Sequence, residues 1–163
     1  MAKQKEEKTN VMRVLEQKKI PYVAHTYEHQ DGVAVDGVTV ADALGQDKNC
    51  VFKTLVARGA SKDIYVFVIP VTDNLDLKKA AKAVGEKSIE MVAVKEINAL
   101  TGYVRGGCSP VGMKKHYPTV FHETAQIIDT IMVSAGKIGY QVELAPAALI
   151  ELVGAETADL TIE

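Results

Sequence analysis

The stretch Cys50-Val51-Phe52-Lys53-Thr54-Leu55-Val56-Ala57 decides how this chain is read. It is a short apolar run of the kind that forms a buried β-strand, with a lysine in its middle. A strand sends alternate side chains to opposite faces. Lys53 therefore shares a face with Val51, Leu55 and Ala57, while Cys50, Phe52, Thr54 and Val56 take the other. Both faces are largely apolar, so neither is marked as the solvent side. A fully buried lysine is rare unless paired. An ammonium here needs a carboxylate, a ring of carbonyls or a bound ligand. The plainer alternative is an edge strand whose lysine reaches out to water.

Outward from this strand, the pattern alternates between short helices and short strands. Thr9 or Asn10 can cap a helix running to Lys18, which Pro21 ends. Residues 22–27 read as a strand, 31–37 as a polar loop and 38–44 as a helix closed by Gly45. A turn at 59–63 joins the Lys53 strand to a second apolar strand over 64–71, a hairpin pattern. A helix over 76–84 ends at Gly85. A short strand (88–92) and a short helix (94–100) follow, then a loop over 102–112 shaped by glycine and proline. Strands over 118–122, 130–134 and 140–144 precede a helix that starts at Pro146 and stops at Gly154. The pattern gives an α+β fold, a single domain with a mixed, strongly bent six- or seven-stranded sheet flanked by short helices.

The chain has 163 residues, 47% hydrophobic and 25% charged, the balance of an ordinary globular domain. Residues 1–8 are charged, contain no apolar signal segment and read as a disordered leader; residues 9–163 read as one domain. The longest apolar run is too short to cross a bilayer. Cys50 and Cys108 are far apart and fit free thiols in a reducing cytoplasm. A net charge of -2 argues against a general nucleic-acid coat but leaves room for local RNA contact. No membrane and no DNA partner is expected.

Standard catalytic signatures are absent from the sequence: there is no phosphate-binding G-x-x-x-x-G-K-[ST], no H-E-x-x-H and no G-x-S-x-G. His25 and His29 have a metal-compatible spacing only on a helix, and the β-prone residues around them argue for a strand. Neither a metal nor a cofactor is expected. His116 and His122 read as surface residues, and Cys50 as core. The loop Thr101-Gly102-Tyr103-Val104-Arg105-Gly106-Gly107-Cys108-Ser109-Pro110-Val111-Gly112 carries more chemistry. Paired glycines let a backbone approach a ligand and turn its N–H groups inward, Ser109 adds a hydroxyl, and Pro110 stiffens the bend. Such a loop can serve a carbonyl or a developing oxyanion. Its plain alternative is a glycine-rich hairpin without a ligand. Cys108 is a conceivable nucleophile, although no histidine lies near it in sequence. Lys78, Lys79, Lys82, Lys87, Lys114 and Lys115 form runs that are ordinarily solvated faces, or else a phosphate-binding surface.

Lys53-Thr54, Leu75-Asp76-Leu77-Lys78-Lys79, Gly106 through Lys115 and Val133-Ser134-Ala135-Gly136-Lys137 fall in an order and spacing that resembles the YbaK family. His25-Thr26-Tyr27-Glu28-His29 also matches the YbaK branch. These are free-standing aminoacyl-tRNA editing proteins related to the inserted editing domain of bacterial prolyl-tRNA synthetases, and the likeness runs from about Asn10 to about Asp159. The resemblance implies a YbaK/prolyl-tRNA synthetase editing-domain fold. It also implies a deacylase that removes mischarged cysteine from proline tRNA, and in the YbaK branch from cysteine tRNA. It implies recognition of the aminoacyl-tRNA acceptor end and a transient complex with prolyl-tRNA synthetase. By position, Lys53 matches the central family lysine. Tyr27, Thr54, Gly106 and Ser134 match substrate-pocket positions, and Gly107, Cys108, Ser109 and Pro110 match the pocket loop. Departures are Cys108, where the family often has isoleucine, Gln141, where relatives can carry aspartate, and Asp36, where some carry an aromatic residue.

An aminoacyl ester is already electrophilic, so positioning and charge stabilisation can supply much of the rate. Lys53 is expected to stay protonated and to bind the carbonyl, or oxygens of the terminal phosphate or ribose. The loop would offer backbone donors, and Ser134 and Tyr27 would orient the substrate. Water, or the thiol of the cysteinyl ester itself, would attack. Two other functions remain open at this point: a non-catalytic module that binds tRNA or a synthetase, and Schiff-base chemistry by a lysine of lowered pKa.

Overall fold

The Lys53 segment is an inner strand of a mixed five-stranded sheet in the computed structural model, which describes residues 8–30 and 33–162. Along the chain come α1 (Asn10–Gln17), β1 (Val23–Thr26), α2 (Gly37–Leu44), β2 (Phe52–Gly59) and β3 (Ile64–Pro70). Then follow α3 (Leu77–Val84), β4 (Ile89–Met91), α4 (Val94–Thr101), β5 (Thr119–His122) and β6 (Ile131–Ser134). The last elements are β7 (Tyr140–Leu144), α5 (Pro146–Val153) and β8 (Glu156–Ala158). The expected leader, apart from Lys8, and the first two residues of the expected 31–37 loop lie outside the described residues.

The larger sheet has the order β4-β2-β3-β5-β8, with β2 antiparallel to β3 and β4 and with β5 parallel to both β3 and β8. A second, antiparallel sheet has the order β1-β7-β6. The two meet at one isolated bridge between Val51 and Met132. The α+β class and the short flanking helices are as expected. The strands, however, number eight among the described residues and divide between two sheets. The added strand, β8, is three residues long and carries no apolar alternation that could mark it in the sequence.

Local chemistry sets the element ends. Thr9 caps α1 by accepting the Met12 amide, Asp36 caps α2 by accepting that of Thr39, and Asp76 caps α3 by accepting those of Lys78 and Lys79. Gly45 and Gly85 close α2 and α3 in the left-handed conformation that glycine adopts at low cost. The chain leaves α1 through Lys19, which itself has a positive φ of 58°, before Pro21 is reached.

β3 holds the two halves of the core together. Val66 and Val68 pack into the cluster that contains Leu15, Phe121, Ile131 and Leu149, while Tyr65, Phe67 and Ile69 pack on the other face against Ala80, Ala81 and Leu160. Burial on both faces explains why β3 reads as a continuous apolar run. Each such large side chain, fully withdrawn from water, contributes roughly 1.5–3 kcal/mol.

The C-terminal segment beyond β8 is tied down. The Leu160 amide donates to His122 Nδ1 (3.1 Å), the Asp76 amide donates to the Leu160 carbonyl (2.7 Å), and the Ile162 amide donates to that of Asn74 (3.0 Å). Lys79 Nζ reaches Asp159 Oδ2 (2.9 Å) and the Thr161 carbonyl (2.8 Å). His122, expected at the surface, is buried. It ends β5, which lies between β3 and β8, so all four residues of that strand are covered. Cys50, expected in the core, stands half-buried at the end of a short 3-10 turn just before β2.

Candidate active site

A cleft of about 620 Å³ opens where the two sheets part. Beyond the Val51–Met132 bridge, β2 keeps β3 on one side, but β4 joins its other side only at Ala57. From the bridge residue Val51 along this stretch to Leu55, every residue lines the cleft. A strand can show consecutive residues to one cavity only along an edge, because its side chains alternate. β2 is thus internal by strand order yet has an open edge at Lys53. The remaining walls are Val133 and Ser134 from β6, Tyr140 and Gln141 from β7, residues 34–37 and Val40 at the start of α2, and Arg105, Gly106 and Cys108 from the glycine-rich loop. Tyr27, just past β1, and Val71, just past β3, complete them.

Lys53 is half-buried in this cleft and makes no hydrogen bond or ion pair among the described residues. Burial holds its pKa below the ordinary lysine value, and the charge of Asp73 opposes that drop. Beside it, the Thr54 hydroxyl is buried without a hydrogen-bond partner. A buried polar group left unpaired is costly, on the order of 1–3 kcal/mol. An unpaired cation and an unpaired hydroxyl on successive residues of an open strand edge give the cleft unmet hydrogen-bonding capacity.

The glycine-rich loop closes over the cleft through close backbone packing. Gly106 has a φ of 86°, and a Cβ placed there would stand 2.7 Å from Ala34 Cβ. The Ser134 hydroxyl accepts the Gly136 amide (3.3 Å), which leaves its own proton free to donate. Tyr27 is partly buried, and desolvation raises the pKa of its phenol. Gln141 is buried and exchanges amide hydrogen bonds with Gln46, at 2.7 and 3.2 Å. Both Asp36 carboxylate oxygens are engaged by Thr39, one by its amide (3.0 Å) and one by its hydroxyl (2.6 Å).

Of the sequence-derived site residues, Lys53, Tyr27, Thr54, Gly106, Cys108 and Ser134 meet in this cleft. Gly107, Ser109 and Pro110 stand behind it. Gly107 packs against the backbone of Lys137 and Ile138, and the fully buried Ser109 accepts the Val111 amide through Oγ (3.3 Å). Pro110 lines a smaller groove with Val14 and Leu152. The Ser109 hydroxyl expected in the cleft is therefore turned into the loop itself. Cys108 is buried, and burial pushes its thiol up to about 11, against a weaker hydrogen bond from Thr101. A thiol in that state is not an activated nucleophile. His25 pairs with Glu143 across β1 and β7 (2.7 Å), and His29 lies against Gly139 and the Tyr27 carbonyl.

Sequence reasoning gave no role to Arg105, Tyr140 or residues 34–35. The signal for Arg105 was present, an arginine inside a loop otherwise read for its glycines. Ala34 and Val35 carry no such signal, because their place is set by contact with Gly106 across the chain.

Residues 34–152 match the model of the aminoacyl-tRNA editing domain, a span that contains most of the cleft. The chain is 48% identical, over 99% of its own length and 98% of the relative's, to the candidate Cys-tRNA(Pro)/Cys-tRNA(Cys) deacylase EbsC of Enterococcus faecalis. It is 30% identical over 100 residues to a proline–tRNA ligase of Shouchella clausii, covering 61% of this chain and 17% of the ligase. Among solved structures, a candidate trans-editing enzyme for prolyl tRNA synthetase superposes with a TM-score of 0.79 at 26% identity, covering 94% of this chain and 95% of that one. A hypothetical protein at 22% identity shares the fold, with a TM-score of 0.82 and coverage of 93% and 99%. With a family model spanning most of its length and a relative matched end to end, the chain belongs to the aminoacyl-tRNA editing domain family, the YbaK family that its motifs resemble.

Proposed function

We propose that this protein deacylates mischarged Cys-tRNA(Pro), and also Cys-tRNA(Cys), by positioning the aminoacyl ester against Lys53. The observation that carries this reading is the Lys53 ammonium, half-buried and unpaired among the described residues, in a cleft of about 620 Å³. A cation held half-buried in a cleft stabilises negative charge that develops on an ester carbonyl, and it needs little reorganisation to do so. Thr54 Oγ1, the Gly106 backbone, the free proton of Ser134 and the Tyr27 phenol would orient the amino acid and the terminal adenosine. Gly107, Ser109 and Pro110 hold the loop from behind.

No protein nucleophile is needed. The sulfur of a cysteinyl ester attacks the carbonyl carbon, the ester C–O bond breaks, and the thiol proton passes to the departing ribose oxygen, giving a cyclic thiolactone. Water attacking the same carbon gives free cysteine. The thiol route also solves a selectivity problem, because a pocket separates side chains differing by one methylene by only about 1–3 kcal/mol. Alanine and proline carry no such thiol and are rejected chemically.

The net charge of -2 supports weak intrinsic affinity for RNA, and hence recruitment through a transient complex with prolyl-tRNA synthetase in the cytoplasm. No helix among the described residues is long and apolar enough to cross a membrane.

The test is deacylation of Cys-, Ser-, Ala- and Pro-tRNA(Pro), with and without the synthetase. Cysteine is expected to be released fastest, and faster with the synthetase present. Charged tRNA that is bound with its acylation level unchanged would overturn the reading in favour of a binding module. Serine released as fast as cysteine would remove the thiol route and leave water.

A further inference from the structure

The cleft has a second cation that the ester chemistry does not use. Arg105 is exposed on the cleft wall, and no hydrogen bond or ion pair engages it among the described residues. Its backbone is nevertheless well fixed. The Gly107 amide donates to the Val104 carbonyl (2.9 Å), closing a four-residue turn with Arg105 at the second position and Gly106, at a φ of 86°, at the third. A positive φ at the third position is the requirement of a type II turn. Ala34 on one side and the backbone of Lys137 and Ile138 on the other brace this turn through Gly106 and Gly107. The guanidinium is thus carried on a rigid corner at the mouth of the cleft.

The charges of the cleft make the assignment specific. Among the described residues the only carboxylate in the lining is Asp36, and both its oxygens are engaged by Thr39. A chain with a net charge of -2 therefore presents a cationic mouth at one place. On the substrate, the amino acid's carboxyl is tied up as an ester and its amino group carries no negative charge. The anion closest in sequence to the ester is the phosphodiester on the 5′ side of the terminal adenosine. In the proposed reaction Lys53 is committed to the ester carbonyl, which leaves the phosphate to another donor. The planar guanidinium matches phosphate geometry with two parallel N–H donors.

We infer that Arg105 is the phosphate-binding residue of this cleft, taking the phosphodiester 5′ of the terminal adenosine while Lys53 serves the ester; the inference rests on the deacylase reading. It assigns the ligand class, a nucleoside 5′-phosphate at the end of an RNA strand. Arg105 is a positioning residue, and its removal weakens capture more than turnover.

Two measurements test it. First, adenosine and adenosine 5′-monophosphate are titrated into the intact protein and read by NMR chemical shifts. The wild type is expected to bind the monophosphate roughly tenfold more tightly, the scale of one charge-assisted contact. Arg105→Ala should abolish that preference, Arg105→Lys should restore part of it, and Lys95→Ala, an exposed charge on α4, should leave it intact. Second, Arg105→Ala should raise KM for Cys-tRNA much more than for 3′-O-cysteinyl-adenosine, which has no phosphate, and should flatten the log–log salt dependence by about 0.7–1. Equal affinity of the wild type for adenosine and its 5′-monophosphate, or equal losses on the two esters, overturns the inference. A phosphate preference that depends on Arg105 in a protein that deacylates nothing upholds the subsite and sinks the deacylase reading instead.

Discussion

Two cations sit five residues apart on β2 and have opposite fates. Arg58 lies where β2 is flanked on both sides, opposite Ile64 of β3 and Glu90 of β4, and its guanidinium pairs with Glu96 Oε1 at 3.0 Å. Lys53 lies opposite Ile69 of β3, with no strand paired to its other side among the described residues, and is itself unpaired among them. Arg58 has its charged form favoured by its partner, and Lys53 has its charged form penalised by burial. A cation that serves the fold is given a carboxylate. A cation left in a cleft, half-buried and unpaired, costs stability that only a ligand returns.

The sharpest way to break this contrast is to remove Lys53. Lys53→Ala should lower kcat/KM for Cys-tRNA by about 10²–10³ or more, as loss of a preorganised charge-stabilising group does. Circular dichroism should stay native. Because the folded-state pKa lies below the unfolded value, the cost of the charge is present at neutral pH and is relieved as pH rises from the folded value toward the ordinary lysine value. Lys53→Met should therefore melt above the wild type near neutrality, with the gap shrinking in alkali. Wild-type activity should fall along an alkaline limb centred below the ordinary lysine value.

A smaller effect is expected from the wall facing that cation. Gly106→Ala adds a methyl 2.7 Å from Ala34 Cβ at a φ of 86°. It should cost about 1–3 kcal/mol of stability from backbone strain, together with a drop of about tenfold or more in kcat/KM. Unchanged kinetics in a folded Gly106→Ala protein would show that the loop does not shape the site.

Cys108→Ala should keep kcat/KM within about threefold of the wild type, because a neutral buried thiol supplies nothing that changes in the transition state. Slow alkylation of Cys108 relative to Cys50 in the native protein would agree. A dead Cys108→Ala alongside an active Lys53→Ala would reverse the roles. The smallest effect belongs to the structural cation. Glu96→Ala removes the Arg58 partner and an acceptor for the Ala93 amide (3.1 Å), so it should lower the melting temperature slightly and leave deacylation untouched.

Much of this was legible from sequence, for identifiable reasons. β2 and β3 announce themselves through apolar runs, and α2 and α3 through their closing glycines, all local signals. Lys53 stood out because its residue type conflicts with its surroundings, and that conflict survives in the folded protein. The division into two sheets was not legible. It depends on a single bridge at Val51 and on β8, whose pairing with β5 is set by tertiary packing. His122 was misplaced for the same reason. A histidine at the end of a strand reads as exposed until a later segment, through the Leu160 amide, covers it. Ser109 turns away from the cleft while Arg105 lines it, because the direction a side chain takes from a tight turn depends on which backbone groups the turn has already satisfied.

The fastening of the C-terminal segment reaches the chemistry at a distance. Leu160 and Ile162 are bonded to the connection between β3 and α3, and Asp73, whose field sustains the charge on Lys53, belongs to that connection. Trimming the protein back to Ala158, or appending a bulky affinity handle there, would slacken the span that holds Asp73. The lesion would show as an altered proton affinity of the distant amine before it showed as unfolding.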